Sequence, residues 1–203
     1  RESSPSRGLG DVYKRQVLSV SAENKAAHWL RMSAEGTYDY DIDARFYDAR
    51  TDSWSDTITP HKDGVSAEHG FVSMLPVGNG NTLMSWLDGR NTKTEAGYGE
   101  MTLRAGIFSA RGETLSEWEL DARVCDCCQT SAAMSAAGPI IVYRDRSAEE
   151  IRDIYVTRYV NGDWTPPVAI HDDQWEIAGC PVNGPSVAAQ GNFVACLLYT
   201  SDA

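Results

Sequence analysis

The sequence predicts an all-β chain, a run of about three blades of a β-propeller, and three observations carry that expectation. From Val17 onward, short β-branched and aromatic runs alternate with Gly, Asn, Asp and Pro, and no stretch of helical periodicity competes with them. A first strand pair, made of a small-residue run, a glycine turn and an apolar run, recurs at His69 to Arg90, Cys128 to Ser147 and Val182 to Ala195. A second pair recurs between these, at Asp41 to His61, Met101 to Leu120 and Ile151 to His171. The combined period is close to the ~40–50 residues of a four-stranded blade. Alternation alone would also allow a β-sandwich, but the repeat selects the propeller, in which radial repetition leaves only short, protected sheet edges.

Taken in order, residues 1–16 (RESSPSRGLGDVYKRQ) resemble translated adapter sequence, as do residues 196–203 (CLLYTSDA), and both are set aside from the fold reading. The expected propeller portion is 17–195, truncated on both sides. His28 to Met32 reads as the second strand of a first blade, followed by two complete blades and the first two strands of another. Asn91 to Gly99 reads as a loop inserted into the second blade. Ile151 to Tyr159 reads as a strand, with at most one turn over Ser147 to Arg152 ahead of it. Trp29, Trp54, Trp86 and Trp164 fall at repeated strand positions and are expected to pack between blades rather than to offer sugar-stacking platforms.

Composition narrows the function classes. Lys and Arg number 18 against 29 Asp and Glu, for a net charge of -11, which argues against a nucleic-acid ligand because phosphate-backbone binding needs clustered cations. There is no apolar run near the ~18 residues that would span a bilayer as a helix. Neither a P-loop, a G-x-S-x-G elbow nor an H-E-x-x-H helix is present, and Gly78-Asn79-Gly80 reads as a hairpin turn.

Where one blade hands over to the next, the connecting loops gather on one face near the axis. These loops are Glu68-His69-Gly70, Val124 to Gln129 and Ala178 to Gly184, so His69, Cys125, Cys127, Cys128 and Cys180 are expected on neighbouring corners. Thiolates with an imidazole would suit Zn or Cu(I). The same cysteines could instead be disulfides, a link between adjacent Cys127 and Cys128 among them, or buried thiols, since spacing does not fix connectivity. Arg90, Arg144 and Arg146 lie at or just beyond the ends of second strands. Their guanidinium forks could hold an anionic substrate, or Arg90 with Asp88 and Arg146 with Asp145 could be turn-stabilising salt bridges. Among many carboxylates, Glu68 and Asp145 are the acid/base candidates, with Asp126 and Glu176 also flanking that face. His28, His61 and His171 read as structural or exposed.

With the repeat in view, the chain resembles bacterial sialidase-family propeller proteins of the exo-alpha-sialidase-like, BNR-repeat type. The segments that carry the resemblance are H-W-L-R-M-S-A-E-G-T-Y (His28 to Tyr38), E-H-G-F-V-S (Glu68 to Ser73), W-L-D-G-R (Trp86 to Arg90), V-C-D-C-C-Q-T (Val124 to Thr130), Y-R-D-R-S-A-E-E-I-R-D-I (Tyr143 to Ile154) and G-C-P-V-N-G-P (Gly179 to Pro185). The resemblance implies a six-bladed ring and a glycoside hydrolase that binds an acidic sugar through arginines, for which Arg90, Arg144, Arg146 and Arg152 are candidates by position rather than by motif. The chain departs from that pattern where the first arginine motif is absent and the Asp-box survives only as Ser53-Trp54 and Asp163-Trp164. A partial ring leaves blade faces bare, so the chain by itself is expected to be inactive. The alternative is a noncatalytic or metal-binding propeller with a Cys/His axial site. Adjacent cysteines favour an oxidising compartment, the periplasm or the extracellular space.

Overall fold

A computed structural model describes residues 15–19, 25–94 and 97–198, and these are all strand, turn or loop. The first sheet runs β1 (Arg15–Ser19), β2 (Lys25–Met32), β3 (Tyr40–Asp48) and β4 (Ser53–Trp54). The second contains β5 (His69–Pro76) and β6 (Thr82–Asp88). A small hairpin, β7 (Lys93–Thr94) with β8 (Gly97–Tyr98), occupies the predicted insertion, and β9 (Thr102–Phe108) and β10 (Thr114–Asp121) complete the sheet. The third sheet holds β11 (Ser131–Ser135), β12 (Gly138–Arg144), β13 (Ile154–Val160) and β14 (Asp163–Trp164), with β15 (Val168–Ala169) also pairing β13. Strands β16 (Ser186–Gln190) and β17 (Phe193–Leu197) form a fourth hairpin. Each full sheet is an antiparallel meander in chain order, the blade arrangement that the repeat predicts.

The cores lie between blades. Ile42, Ala44 and Phe46 of the first sheet pack on Val72, Met84, Trp86 and Phe108 of the second, and the Phe46 and Phe108 rings stack with centroids 5.6 Å apart. Leu83, Leu87 and Leu103 meet Ile141 and Tyr143 of the third sheet, and Ile140 and Val142 meet Val187 of the hairpin. Each such side chain contributes about 1.5–3 kcal/mol on burial, so the blades stabilise one another. Strand β6 is buried along its whole length, whereas β10 alternates between exposed and partly covered residues as an outer strand should.

Inner strands are tied across blades by side chains. Thr130 Oγ1 donates to the Phe71 carbonyl at 2.8 Å, Gln129 Nε2 donates to the Val72 carbonyl, and Val187 N donates to Ser131 Oγ. A bulge in β5 between Gly70 and Ser73 puts Phe71 at φ 54°, a left-handed conformation that a bulky side chain seldom adopts.

Two expectations change. Strand β13 starts at Ile154 because residues 147–151 close a turn, with Ser147 N donating to the Ile151 carbonyl and Ile151 N to Ser147 Oγ. Trp54 is 39 % exposed on the edge of its sheet and meets the Tyr47 ring edge-on rather than packing between blades. Trp118 instead joins Trp164 and Tyr159 in an aromatic cluster between the second and third sheets. The ends read as adapter-derived lie largely outside the described residues; Arg15 and Gln16 fall in β1, and Cys196 and Leu197 in β17.

Candidate functional site

The β5 bulge forms one wall of a cleft of about 280 Å³ between the first two blades. Its lining includes Tyr38, Tyr40 and Phe71, with the carboxyl of Glu68 and the amide of Gln129 among the polar groups. Glu68 sits there because the chain enters β5 through it: its carbonyl accepts the Gly89 N–H at 2.8 Å, and a Cβ on Gly89 would fall 2.6 Å from that oxygen. Burial, and then the negative charge of Asp126, push the Glu68 carboxyl up to about 7 against the opposing pull of His69. A carboxyl poised near neutrality can donate or accept a proton.

Behind the cleft lies a buried ionic network. His69 is fully buried, and its Nδ1 faces the Tyr40 and Ala67 carbonyls at 3.1 and 3.2 Å, so that nitrogen carries a proton. Its Nε2 lies 3.1 Å from Asp63 and 3.5 Å from Asp88. Burial pulls His69 down, but the hydrogen bond and charge of Asp88, joined by Asp63, outweigh it and leave the net direction upward. Burial opposes ionisation of Asp88 too, yet donors from Arg90, His69 and Trp86 hold it far below the usual carboxylate range. His61 stacks on His69, accepts the Ile42 N–H at 3.0 Å, and is pushed down to about 4 by burial and then by the charge of His69.

The predicted arginines are all engaged by the protein. Arg90 clasps Asp88 with two bonds of 2.8 and 2.7 Å and is 3.4 Å from Asp63. Arg144, Arg146 and Arg152 gather apart from it. Arg146 and Arg152 share Glu150, which is held at about 2, first by the Arg146 bond. Arg144 is buried, donates to the carbonyl and side-chain oxygens of Asn183, and lies over the Trp175 ring. Burial pulls it down to about 10. The salt-bridge reading of Arg90 with Asp88 therefore describes that corner, while the partners of Arg146 are Glu150 and Asp126 rather than Asp145.

The two acid/base candidates are not brought together. Glu68 lines the cleft and Asp145 does not. Asp145 lies beside Asp121, and burial, then the Asp121 charge, push it up to about 7, while the Tyr143 hydroxyl donates to Asp121.

Four cysteines do converge. Cys125 is paired with Cys128 and Cys127 with Cys180, and Cys125 Sγ lies 3.9 Å from Cys127 Sγ. The adjacent pair Cys127 and Cys128 is thus not linked to itself. His69 stays out of this corner: among the described residues it groups with Asp63 and Asp88, or with Asp41 and His61, and not with the sulfurs.

Sequence reasoning passed over Asp63 and Glu150, and read His61 as structural or exposed. Nothing in the spacing of Pro60-His61-Lys62-Asp63-Gly64 links Asp63 or His61 to His69. The one available signal for Glu150 is its position between two arginines, four residues after Arg146 and two before Arg152.

Among the described residues no helix is long and apolar enough to cross a membrane. No protein-family model and no curated protein matches the chain, so the sialidase part of the resemblance has no support from these comparisons. A solved structure of a lectin from Aleuria aurantia, a mutant in complex with Fucalpha1-6GlcNAc, matches at TM-score 0.53 and 13% identity over 88% of this chain and 50% of its own. The chain thus spans about half the length of that lectin. The lectin is a β-propeller, and the likeness establishes the fold: this chain is all-β and built from propeller blades.

Proposed function

We propose that this chain is a carbohydrate-binding propeller segment whose ligand occupies the cleft between the first two blades. The observation that carries the reading is the lining, which combines Tyr38, Tyr40 and Phe71 with Glu68, whose carboxyl is pushed up to about 7, and Gln129. Aromatic faces suit the C–H face of a pyranose, and a few convergent polar groups fix the orientation of its hydroxyls. The neighbouring fold, a lectin solved with a fucosylated disaccharide, supports the same ligand class. A neutral sugar suits the cleft better than an acidic one, since Arg90, Arg144, Arg146 and Arg152 are each held by protein partners and Glu68 carries whatever negative charge the cleft has.

One observation favours a second, hydrolytic reading of the same cleft, that of a sialidase-like glycoside hydrolase. A carboxyl at about 7 is suited to act as a general acid on a glycosidic oxygen, and Glu68 would be that acid. The test has two arms. Saturation-transfer NMR with neutral and sialylated oligosaccharides should show contact with neutral sugars, lost in Phe71→Ala and weakened in Glu68→Gln. No saturable contact with either class would overturn the binding reading. Release of a fluorophore from a sialoside, absent in Glu68→Gln, would favour hydrolysis, and no turnover above a heat-killed control would remove it.

A further inference from the structure

We propose that Cys125, Cys127, Cys128 and Cys180, once reduced, form a four-thiolate site for a single zinc-class cation, so that this corner exchanges two disulfides for one metal ion. Three placements point there. The Sγ atoms of Cys125, Cys127 and Cys128 all lie within 4.8 Å of one another, and Cys180 is bonded to Cys127. The 3.9 Å between Cys125 and Cys127 Sγ, which are not bonded to each other, is close to the about 3.8 Å edge of a tetrahedron with Zn–S near 2.3 Å. Cys125 and Cys128 are also separated by two residues, the pair spacing of structural zinc sites.

The surroundings favour anionic sulfur. Arg152, only 4 % exposed, directs Nη1 at Cys125 Sγ from 3.4 Å. Its Nη2 is paired with Glu150 at 2.8 Å, which leaves Nη1 for the sulfur; a disulfide sulfur is a weak, uncharged acceptor for that donor, whereas a thiolate carries charge. Arg144, also buried, lies in the same corner: its carbonyl accepts the Cys125 N–H, and its side chain donates to the Arg152 carbonyl. Four thiolates around a dication leave two negative charges; Arg152 directs Nη1 toward them, and the Arg144 guanidinium, held by Asn183 and the Arg152 carbonyl, adds positive charge to the same corner. Cys180 is exposed, which gives both a reductant and an ion a way in.

The chemistry balances as follows. Two equivalents of a dithiol reductant each deliver two electrons and two protons, become cyclic disulfides, and convert the two protein disulfides into four thiols. Zinc then displaces the four thiol protons. This site takes no part in the carbohydrate reading and stands or falls without it.

The experiment uses the protein as isolated, then treated with dithiothreitol under argon, loaded with zinc chloride and desalted. Free thiols and bound zinc are counted, and cobalt chloride replaces zinc in a parallel sample. We expect four reactive thiols beyond any from Cys196, one zinc per chain in the reduced form against none in the oxidised form, and the visible bands of tetrahedral cobalt thiolate. Cys180→Ser, at an exposed position, should weaken zinc retention at least tenfold while circular dichroism stays that of the parent. Four thiols with no stoichiometric zinc would overturn the proposal. So would zinc that persists undiminished in both Cys180→Ser and Cys127→Ser, or disulfides that resist reductant until the protein is denatured.

Discussion

The imidazoles of His61 and His69 lie face to face, ring centroids 3.7 Å apart and planes within 3° of parallel. Two imidazolium ions cannot share that arrangement, so the pair divides its charge: His69, against Asp63 and Asp88, takes the proton, and His61, buried and accepting a backbone N–H, stays neutral. His28, lining the cleft nearby, is likewise pushed down by burial, from 6.5 to about 4.

Acid should therefore act against the fold through these buried neutral rings. Between about pH 6.5 and 4 an unfolded His28 binds a proton that the folded one does not, so stability falls with decreasing pH by about 1.4 kcal/mol per pH unit for that ring alone. Over the full window this amounts to about 3 kcal/mol. His61 adds in the same direction. His69 acts oppositely: its stabilisation is complete below 6.5 and is lost as pH rises through its raised value. Glu68 and Asp145, both raised to about 7, pull the other way over the same window, so the difference between variant and parent is what tests the ring: in urea unfolding from pH 7 to 4, His28→Gln should change the slope by about one proton, and an unchanged slope would contradict the assignment.

Glu68 has the opposite sign from the neutral rings. Its carboxyl is raised from 4.5 to about 7, so the folded state holds a proton that the unfolded state has released, and stability declines as pH rises through that window. Glu68→Gln keeps the shape and removes the charge. We expect the variant to be about 1–3 kcal/mol more stable than the parent at pH 8, with the difference closing near pH 4.5. Thermal melts across pH read this directly. Equal stability at pH 8 would mean the charge costs nothing in that cleft.

Much of this fold was legible because its signals are local. Alternation sets the strands, and Gly78-Asn79-Gly80, with φ of 87°, 54° and 75°, makes the β5–β6 hairpin turn that the sequence announces. The repeat also leads to the blade connections, at one of which the four cysteines converge while His69 turns to Asp63 and Asp88 instead. What stayed illegible depends on packing between blades. Asp63 reaches His69 only because the 61–68 loop folds back over the start of β5, and nothing in Lys62-Asp63-Gly64 encodes that. Cysteine spacing could not say that Cys127 would choose Cys180, 53 residues away, over its neighbour. The sequence leaves the arginines between a ligand and salt bridges, and finds Asp88 for Arg90 but not Glu150 for Arg146 and Arg152, because that carboxylate comes from a turn whose geometry the sequence leaves open.

Gly184 marks where the fourth hairpin seats against the third blade. A Cβ at this position would collide with the Gln129 carbonyl, and Gln129 is itself bound to Val72. Gly184→Ala must push the β16–β17 hairpin outward or distort the inner-strand contact. We expect a loss of about 1–3 kcal/mol and faster amide exchange in β16. Gly179→Ala is a control, since its Cβ would meet only the Ile177 side chain at 4.0 Å and its backbone, like that of Gly184, lies outside the left-handed region. A Gly184 variant no worse than that control would remove the close approach as the reason for glycine.

Thr130 holds the bulge that shapes the cleft. Its hydroxyl donates to the Phe71 carbonyl at 2.8 Å and pairs with Ser73 Oγ at 2.8 Å, joining the inner strands of two blades at the residue with φ 54°. Thr130→Val preserves volume but leaves that carbonyl without its donor, a cost of about 1–3 kcal/mol for a buried acceptor. Phe71 loses one of the contacts that fix its left-handed backbone and is free to relax toward the extended region, which would carry its ring and the wall of the cleft with it. The expected signature is therefore double: a lower melting temperature together with weakened saccharide contact at Phe71, even though Thr130 is absent from the cleft lining. Lower stability with unchanged contact would show that the bulge keeps its shape without Thr130 and that the β5 backbone is held by the blade alone.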